Sequence, residues 1–310
     1  MSERYDVLVA GEYYCDLIFS GLAGAPAYGR EIVASGLATR PGGCYNMALG
    51  LTRLGLRTAW AADFGTDLFS RLVLEAAAAD GIDPVAFRQL GRPAEMVSAA
   101  FDDRVERGFI TYRGADVVPP ERGLLERLAP RWLLQTFRYT PDWLAFMRAA
   151  REAGALIFGD CNGDEVTLAT PGVRDFIALC DVFSPNEPEA LRLTGAGSVE
   201  AALARLAEIN RSVLVKRGAG GVSALVDGQR HEEAAPAVAV VDTVGAGDAF
   251  AAGYIAASLS GLPLTERLRH AVACGTLSTT GAGSSASPTA AELKTFAERA
   301  FRPPPRAASA

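Results

Sequence analysis

The chain has 310 residues, 49% hydrophobic and 21% charged, with 30 basic and 36 acidic side chains and a net charge of -6. That composition suits one soluble globular domain with a sizeable core, and it offers neither the basic face a nucleic-acid binder needs nor a polybasic membrane anchor. No apolar run approaches the roughly 18 residues of a membrane span.

The charged start, Ser2-Glu3-Arg4, runs straight into a strand, so no signal peptide is read and a cytoplasmic location is expected. Five scattered cysteines without a C-x-x-C pair fit reduced thiols better than a disulfide framework or a zinc site. Two histidines, His231 and His270, give little material for a Ser-His-Asp hydrolase.

In chain order, Tyr5 to Ala10 reads as a buried strand ending at Gly11. Asp16 is placed just past that strand end, where open α/β sheets bind ligands, or else in an ordinary turn. Glu31 to Thr39 and Met96 to Tyr112 read as strands outside any βαβ alternation, the second as a hairpin turning near Asp102-Asp103. They predict a small separate sheet, a lid over the main body from about residues 13–40 and 96–115.

Between them, Gly42-Gly43 opens a helix that carries Asn46 in its first turn and ends near Gly55. The pair allows a ligand close to the backbone, or is simply a glycine turn. Thr58 to Ala62 is a strand, Asp67 to Ala79 a helix, and a strand follows near Val85.

From about residue 120 the pattern is regular βα alternation. Strands at 132–135, 155–158, 181–183 and 212–215 alternate with helices at 141–153, 171–179, 187–193 and 199–210. Such an order predicts a mostly parallel sheet covered on both faces. Ser223 to Val226 closes a hairpin, 264–278 and 289–301 are helices, and the tail from Arg302 frays.

The most informative stretch is Val240 to Tyr254. An apolar β-type run stops at Asp242, small residues follow, and a small-residue helix begins. Gly245 and Gly247 permit a sharp turn, and the first N–H groups of the helix suit a phosphate. Asp248 beside an anion site repels that phosphate unless it handles a proton. The combination points to phosphoryl transfer to an alcohol, with Asp248 as base toward the attacking hydroxyl.

No G-x-x-x-x-G-K-[ST] occurs, which excludes a Walker-type site, and the G-x-G-x-x-A match at 281–286 follows no strand. Asn186 to Glu189 is fully explained as a helix start with a capping box, and also suits an outer-sphere Mg²⁺ site.

Taken together, Gly42-Gly43-Cys44-Tyr45-Asn46, Asn186-x-x-Glu189 and Asp242-Thr243-Val244-Gly245-Ala246-Gly247-Asp248 resemble the signatures of the ribokinase-type, or PfkB, carbohydrate kinases. The segments at Asp63 to Phe69 and Asp160 to Asn162 resemble that family too, and the likeness runs from about residue 5 to 301. It implies a ribokinase-like three-layer α/β/α fold with a central, mostly parallel sheet and a small β lid.

It further implies an ATP-dependent kinase acting on a hydroxymethyl group of a sugar or sugar acid. Asp248 would be the base and Gly245, Ala246 and Gly247 the anion hole. Asp16, Gly42, Gly43 and Asn46 would bind sugar hydroxyls, and Lys216, Gly218 and Gly221, with Asn186, the nucleotide. Glu189 would order Mg²⁺ through water, and Asp242 with the Val244 carbonyl would hold a monovalent cation such as K⁺. Lid strands pairing across a homodimer are also implied.

Against ribokinases proper, Cys44-Tyr45 replaces Lys-Gly-Ala, and Thr136-Phe137-Arg138 stands where a sugar-binding Glu is usual. Arg138 suits a carboxylate or phosphate on the substrate, or is a plain surface residue. A nucleoside kinase of the same fold would need a slot for a base, for which Tyr13, Tyr14, Tyr45 and Phe137 are available. A catalytically idle sugar- or nucleotide-binding regulator would not need Asp248.

Overall fold

The computed structural model describes residues 4–24, 26–102, 107–161, 166–281 and 286–301. Asp103 of the expected hairpin turn, Arg104, Asn162 and the loop residues 282–285 lie outside the described residues.

The elements in chain order are β1 (Val7–Ala10), β2 (Tyr13–Ser20), β3 (Gly36–Gly43), α1 (Cys44–Arg53), β4 (Thr58–Phe64), α2 (Leu68–Ala79), β5 (Phe87–Gln89), β6 (Met96–Asp102) and β7 (Arg107–Arg113). There follow α3 (Gly123–Leu128), β8 (Trp132–Thr136), α4 (Pro141–Glu152), β9 (Leu156–Asp160), α5 (Val173–Leu179), β10 (Val182–Ser184), α6 (Glu187–Thr194), α7 (Val199–Ala207) and β11 (Ser212–Lys216). The chain closes with β12 (Val222–Val226), β13 (Gln229–Glu233), α8 (Ala246–Leu259), α9 (Leu264–Ser278) and α10 (Ala290–Ala300).

Nine strands form the large sheet in the order β13-β12-β11-β10-β9-β8-β1-β4-β5. Neighbours from β11 to β5 run parallel, and β12 and β13 add antiparallel strands at one edge. Alternate residues of each central strand feed two cores. Val7, Val9 and Leu134 face one side, with Leu49 of α1, Val73 of α2, Ile255 of α8, Leu268 of α9 and Leu293 of α10. Leu8, Ala10 and Leu133 face the other, with Leu125 of α3, Phe146 of α4, Phe176 of α5 and Leu203 of α7. A sheet buried on both faces needs strands that are apolar at every position, and β1 is buried at all four. The result is the three-layer α/β/α fold.

The second sheet has four strands in the order β3-β2-β6-β7. The first of its strands was hidden in the sequence. Asp16, expected beyond a strand end, lies inside β2 and pairs in register with Arg40 of β3. β3 also starts and stops later than read, so the glycine pair is its last two residues and leads directly into α1.

Val85 itself sits in a 3-10 turn, Pro84–Ala86, and the strand expected near it is β5, which follows directly. β13, rich in charge, was not anticipated. The apolar run before Asp242 is not a strand: Val240 and Val241 are 60% and 64% exposed, and the N–H groups of Val241 and Asp242 donate to the Thr279 carbonyl instead of a strand neighbour.

Candidate active site

α8 begins at a backbone turn rather than a side-chain cap. Gly245 takes φ 80° as the N-cap, a left-handed conformation in which a side chain is strained, and no side chain caps the helix. Ala249 N–H donates to the Gly245 carbonyl (2.9 Å), and Ala246 N–H makes a longer bond to Thr243 O (3.3 Å). The N–H groups of the first turn have no acceptor four residues back, and the helix dipole makes that end positive. A Cβ on Gly245 would sit 3.7 Å from Asn46 Nδ2 and 3.9 Å from Asp248 Oδ2. A Cβ on Gly247 would sit 3.3 Å from Lys216 Nζ. The starts of α1 and α8 and the end of β11 therefore meet at one point.

Asp248 is held there as an easily protonated acid. Burial raises its carboxyl to about 7, the Asp160 charge adds to this, and the hydrogen bond from the Asn46 side chain and the charge of Lys216 oppose it. Lys216 forms an ion pair with Asp160. Burial works against the lysine's charge, but Asp160, Glu189 and Asp248 together outweigh it and raise the ammonium above its usual range. A carboxyl near 7 is well matched to taking a proton from an alcohol as charge moves away from it.

On the other side of α1, Gly42 allows a close approach, since a Cβ there would collide with the carboxylate of Asp16. Asn46 is 6% exposed, and its Oδ1 has no partner among the described residues. Cys44, first residue of α1, has its thiol pushed well up, first by burial and then by the charges of Glu12 and Asp248.

Arg138, the strand-end arginine, forms an ion pair with Glu12. Sequence reasoning missed Glu12, although it follows Gly11 at the C-terminal end of β1, where such sheets collect ligands. It missed Asp160 as a site residue for want of the strand order.

The glycine loop expected to hold the nucleotide is a 3-10 turn, Gly218–Gly220, followed by Gly221 at φ 81°. Asn186 and Glu189 complete the capping box: Glu189 N–H donates to Asn186 Oδ1 (2.8 Å) and Asn186 N–H to Glu189 Oε2 (2.7 Å). Burial raises Glu189 to about 7 against the pull of Lys216 and that backbone donor. Asp242 Oδ1 accepts from Val244 N–H (3.0 Å). Among the described residues no group of three or more His, Cys, Asp or Glu side chains could hold a metal, and no helix is long and apolar enough to cross a membrane.

Three of the four aromatic residues considered for a base slot are taken up in the core, and Tyr14 is half-buried between Glu12 and Arg113. Tyr13 stacks on Phe64 at 4.7 Å and bonds Ser70. Tyr45 reaches Asp80, and Phe137 packs on Phe176. All three are at most 5% exposed.

A helix N-terminus, a lysine and a carboxyl poised near neutrality, gathered at strand ends of a three-layer α/β/α fold, define a phosphotransferase with an alcohol acceptor. The family model described as pfkB family carbohydrate kinase matches residues 7–291, and the chain belongs to that family. It is 31% identical to the fructokinase of Klebsiella pneumoniae over 78% of this chain and 87% of that one. Among solved structures it resembles Arabidopsis thaliana ribokinase complexed with ribose and ATP (TM-score 0.85, 24% identity, 96% of this chain and 99% of that one). It also resembles Xylella fastidiosa fructokinase with bound ATP (TM-score 0.76, 21% identity, 94% and 98%).

Proposed function

We propose that this carbohydrate kinase moves the γ-phosphoryl group of ATP onto a hydroxymethyl group of a sugar, with Asp248 as general base. The observation that carries the reading is the placement of Asp248, raised to about 7, in the first turn of α8 beside Asn46. Asp248 takes the hydroxyl proton as the oxygen attacks. The N–H groups of Gly245, Ala246 and Gly247, with the Lys216 ammonium beside Gly247, stabilise negative charge spreading over the phosphoryl oxygens.

Asp16, Gly42, Gly43 and Asn46 hold the acceptor. The unpartnered Oδ1 of Asn46 supports this, because a buried acceptor of that kind is made good by a ligand hydroxyl. Gly218 and Gly221 shape the nucleotide loop, and Asn186 lies on the same side. Mg²⁺ fits next to Glu189: that ion keeps several waters and needs few protein carboxylates, and when bound it neutralises phosphate charge. Asp242 and the Val244 carbonyl are the candidates for a monovalent cation such as K⁺. The four-stranded sheet acts as a lid that excludes water, and its outer strands are the surface offered for a homodimer. The family relationship and the ATP-bound structural neighbours support ATP as donor.

The test is ATP consumption by the purified protein across hexoses, pentoses, sugar acids and nucleosides, with fructose and ribose first. Turnover that depends on one sugar and is lost in Asp248→Asn is expected. No turnover on any of them overturns the kinase reading and leaves a binding regulator in its place.

A further inference from the structure

Glu12 is a second buried carboxylate beside the acceptor site, and nothing in the phosphoryl-transfer step uses it. Its side chain is 9% exposed. One oxygen, Oε1, accepts from the Arg138 guanidinium and from the Tyr14 hydroxyl (3.1 Å). Tyr14 in turn accepts from Arg113 Nε (2.6 Å), which brings β7 of the small sheet into the network. The other oxygen, Oε2, is buried and has no partner among the described residues.

Glu12 also lines a cavity of about 380 Å³, walled further by Phe87, Met96, Val117 and Leu124. Cys44 N–H donates to the Glu12 carbonyl (2.9 Å), and a Cβ on Gly43 would sit 2.8 Å from that oxygen, so Glu12 adjoins the start of α1 that carries Asn46. An acceptor held at Asn46 beside Asp248 therefore has Glu12 as a neighbour along the same helix start.

The chemistry of that far end follows from the network. A buried carboxylate oxygen without a donor is costly, and an arriving O–H relieves it. An ionised acid on the substrate brings no donor and meets a like charge instead. Arg138, which could have welcomed an acid, is committed to Glu12, and Arg88 and Arg127, which also line the cavity, are paired with Asp63 and Glu121.

We propose that Glu12 Oε2 accepts a hydrogen bond from a hydroxyl at the end of the acceptor remote from the phosphorylated group. The substrate class is then a neutral polyhydroxylated sugar, not a sugar acid. Arg138, Tyr14 and Arg113 are positioning residues that hold Glu12 in place. The inference rests on the kinase reading of this same site.

The experiment is steady-state kinetics of the full chain on neutral sugars, their monodeoxy analogues and 2-keto-3-deoxygluconate, for wild type, Glu12→Gln and Tyr14→Phe. The wild type is expected to favour a neutral sugar over the acid. Glu12→Gln should raise KM for that sugar at least tenfold with kcat at saturation within threefold and KM for ATP unchanged. One monodeoxy analogue, lacking the contacted hydroxyl, should have the same KM in wild type and Glu12→Gln. Tyr14→Phe should raise KM about threefold with the same selectivity, and it carries the comparison alone if Glu12→Gln does not fold.

The proposal is overturned if wild type prefers the acid, or if the Glu12→Gln effect is absent or equal across every deoxy analogue. Those outcomes leave sugar turnover intact. Absence of any turnover by wild type is instead the failure of the kinase reading.

Discussion

Lys216, the last residue of β11, forms an ion pair with Asp160, the last residue of β9, across the end of the intervening strand β10. Their side chains are 13% and 9% exposed, so each charge depends on the other. Removing one partner of a buried pair leaves an uncompensated charge and costs about 3–5 kcal/mol. Lys216→Met is expected to lose stability of that order in denaturant unfolding, and Lys216→Met with Asp160→Leu less than the sum of the single changes.

The same pair tunes the titration of Asp248: burial raises that carboxyl most, Asp160 adds to the rise and Lys216 opposes it. In wild type, log kcat/KM is expected to fall by about one per pH unit below a midpoint near 7, where the base becomes protonated. Asp160→Asn moves the midpoint down and Lys216→Met moves it up. pH profiles of the three proteins check this, and a midpoint indifferent to both changes removes Asp248 from the role of base.

Asp248→Asn keeps the shape and loses the proposed base. kcat is expected to fall about 10²–10⁴-fold or more while ATP affinity changes little. The stability effect has the opposite sign. The folded carboxyl lies near 7 against an ordinary value of 3.8, so the folded chain binds the proton more tightly than the unfolded one. The stability this contributes is complete below about 4 and is lost as pH rises through 7. Glu189, raised from 4.5 to about 7, acts in the same direction. Thermal midpoints are therefore expected to drift down between pH 5.5 and 8 on account of these two groups. Asp248→Asn should be nearly equal in stability to wild type below about pH 4, more stable by about 1.5 kcal/mol at pH 5, and more stable by up to roughly 4 kcal/mol at pH 8, several degrees in Tm.

How much of this was legible follows the range of the interactions. Gly245 to Asp248 could be read because turn, helix start and carboxylate are consecutive, and Asn186 to Glu189 because a capping box spans four residues. Both cores were implied by the βα alternation. The Lys216–Asp160 and Arg138–Glu12 pairs could not be read, since each joins residues 56 or 126 positions apart. Only the strand order brings their ends together. β2 was missed because Asp16 looked like a loop residue, whereas its backbone completes a ladder to β3 and β6. Val240 and Val241 misled because β-branched composition does not supply a strand partner.

Gly42→Ala probes the acceptor side without altering a charge. Its Cβ would occupy the space of the Asp16 carboxylate, so that side chain must move. The φ of Gly42 is not positive, which leaves sterics as the effect of the methyl group. KM for the sugar is expected to rise at least tenfold, with KM for ATP unchanged and stability within about 1 kcal/mol, the ordinary range for a single methyl against a movable side chain. An equal rise in both KM values places the damage elsewhere.

Glu189→Gln separates the structural use of Glu189 from the proposed metal use. The side chain accepts from Asn186 N–H as the N3 member of the capping box, and glutamine serves at that position as well as glutamate. Helix α6 should therefore keep its start, and by the linkage argued for Asp248 the Gln variant should be nearly as stable as wild type below about pH 4.5 and more stable at pH 8, by up to roughly 3 kcal/mol. A water-bridged cation, by contrast, depends on the negative charge. The Mg²⁺ concentration giving half-maximal rate is expected to rise several-fold, with KM for the sugar unchanged. If Mg²⁺ dependence is the same in both proteins, Glu189 is a cap alone, and the ion's protein contacts are to be sought elsewhere on the nucleotide side.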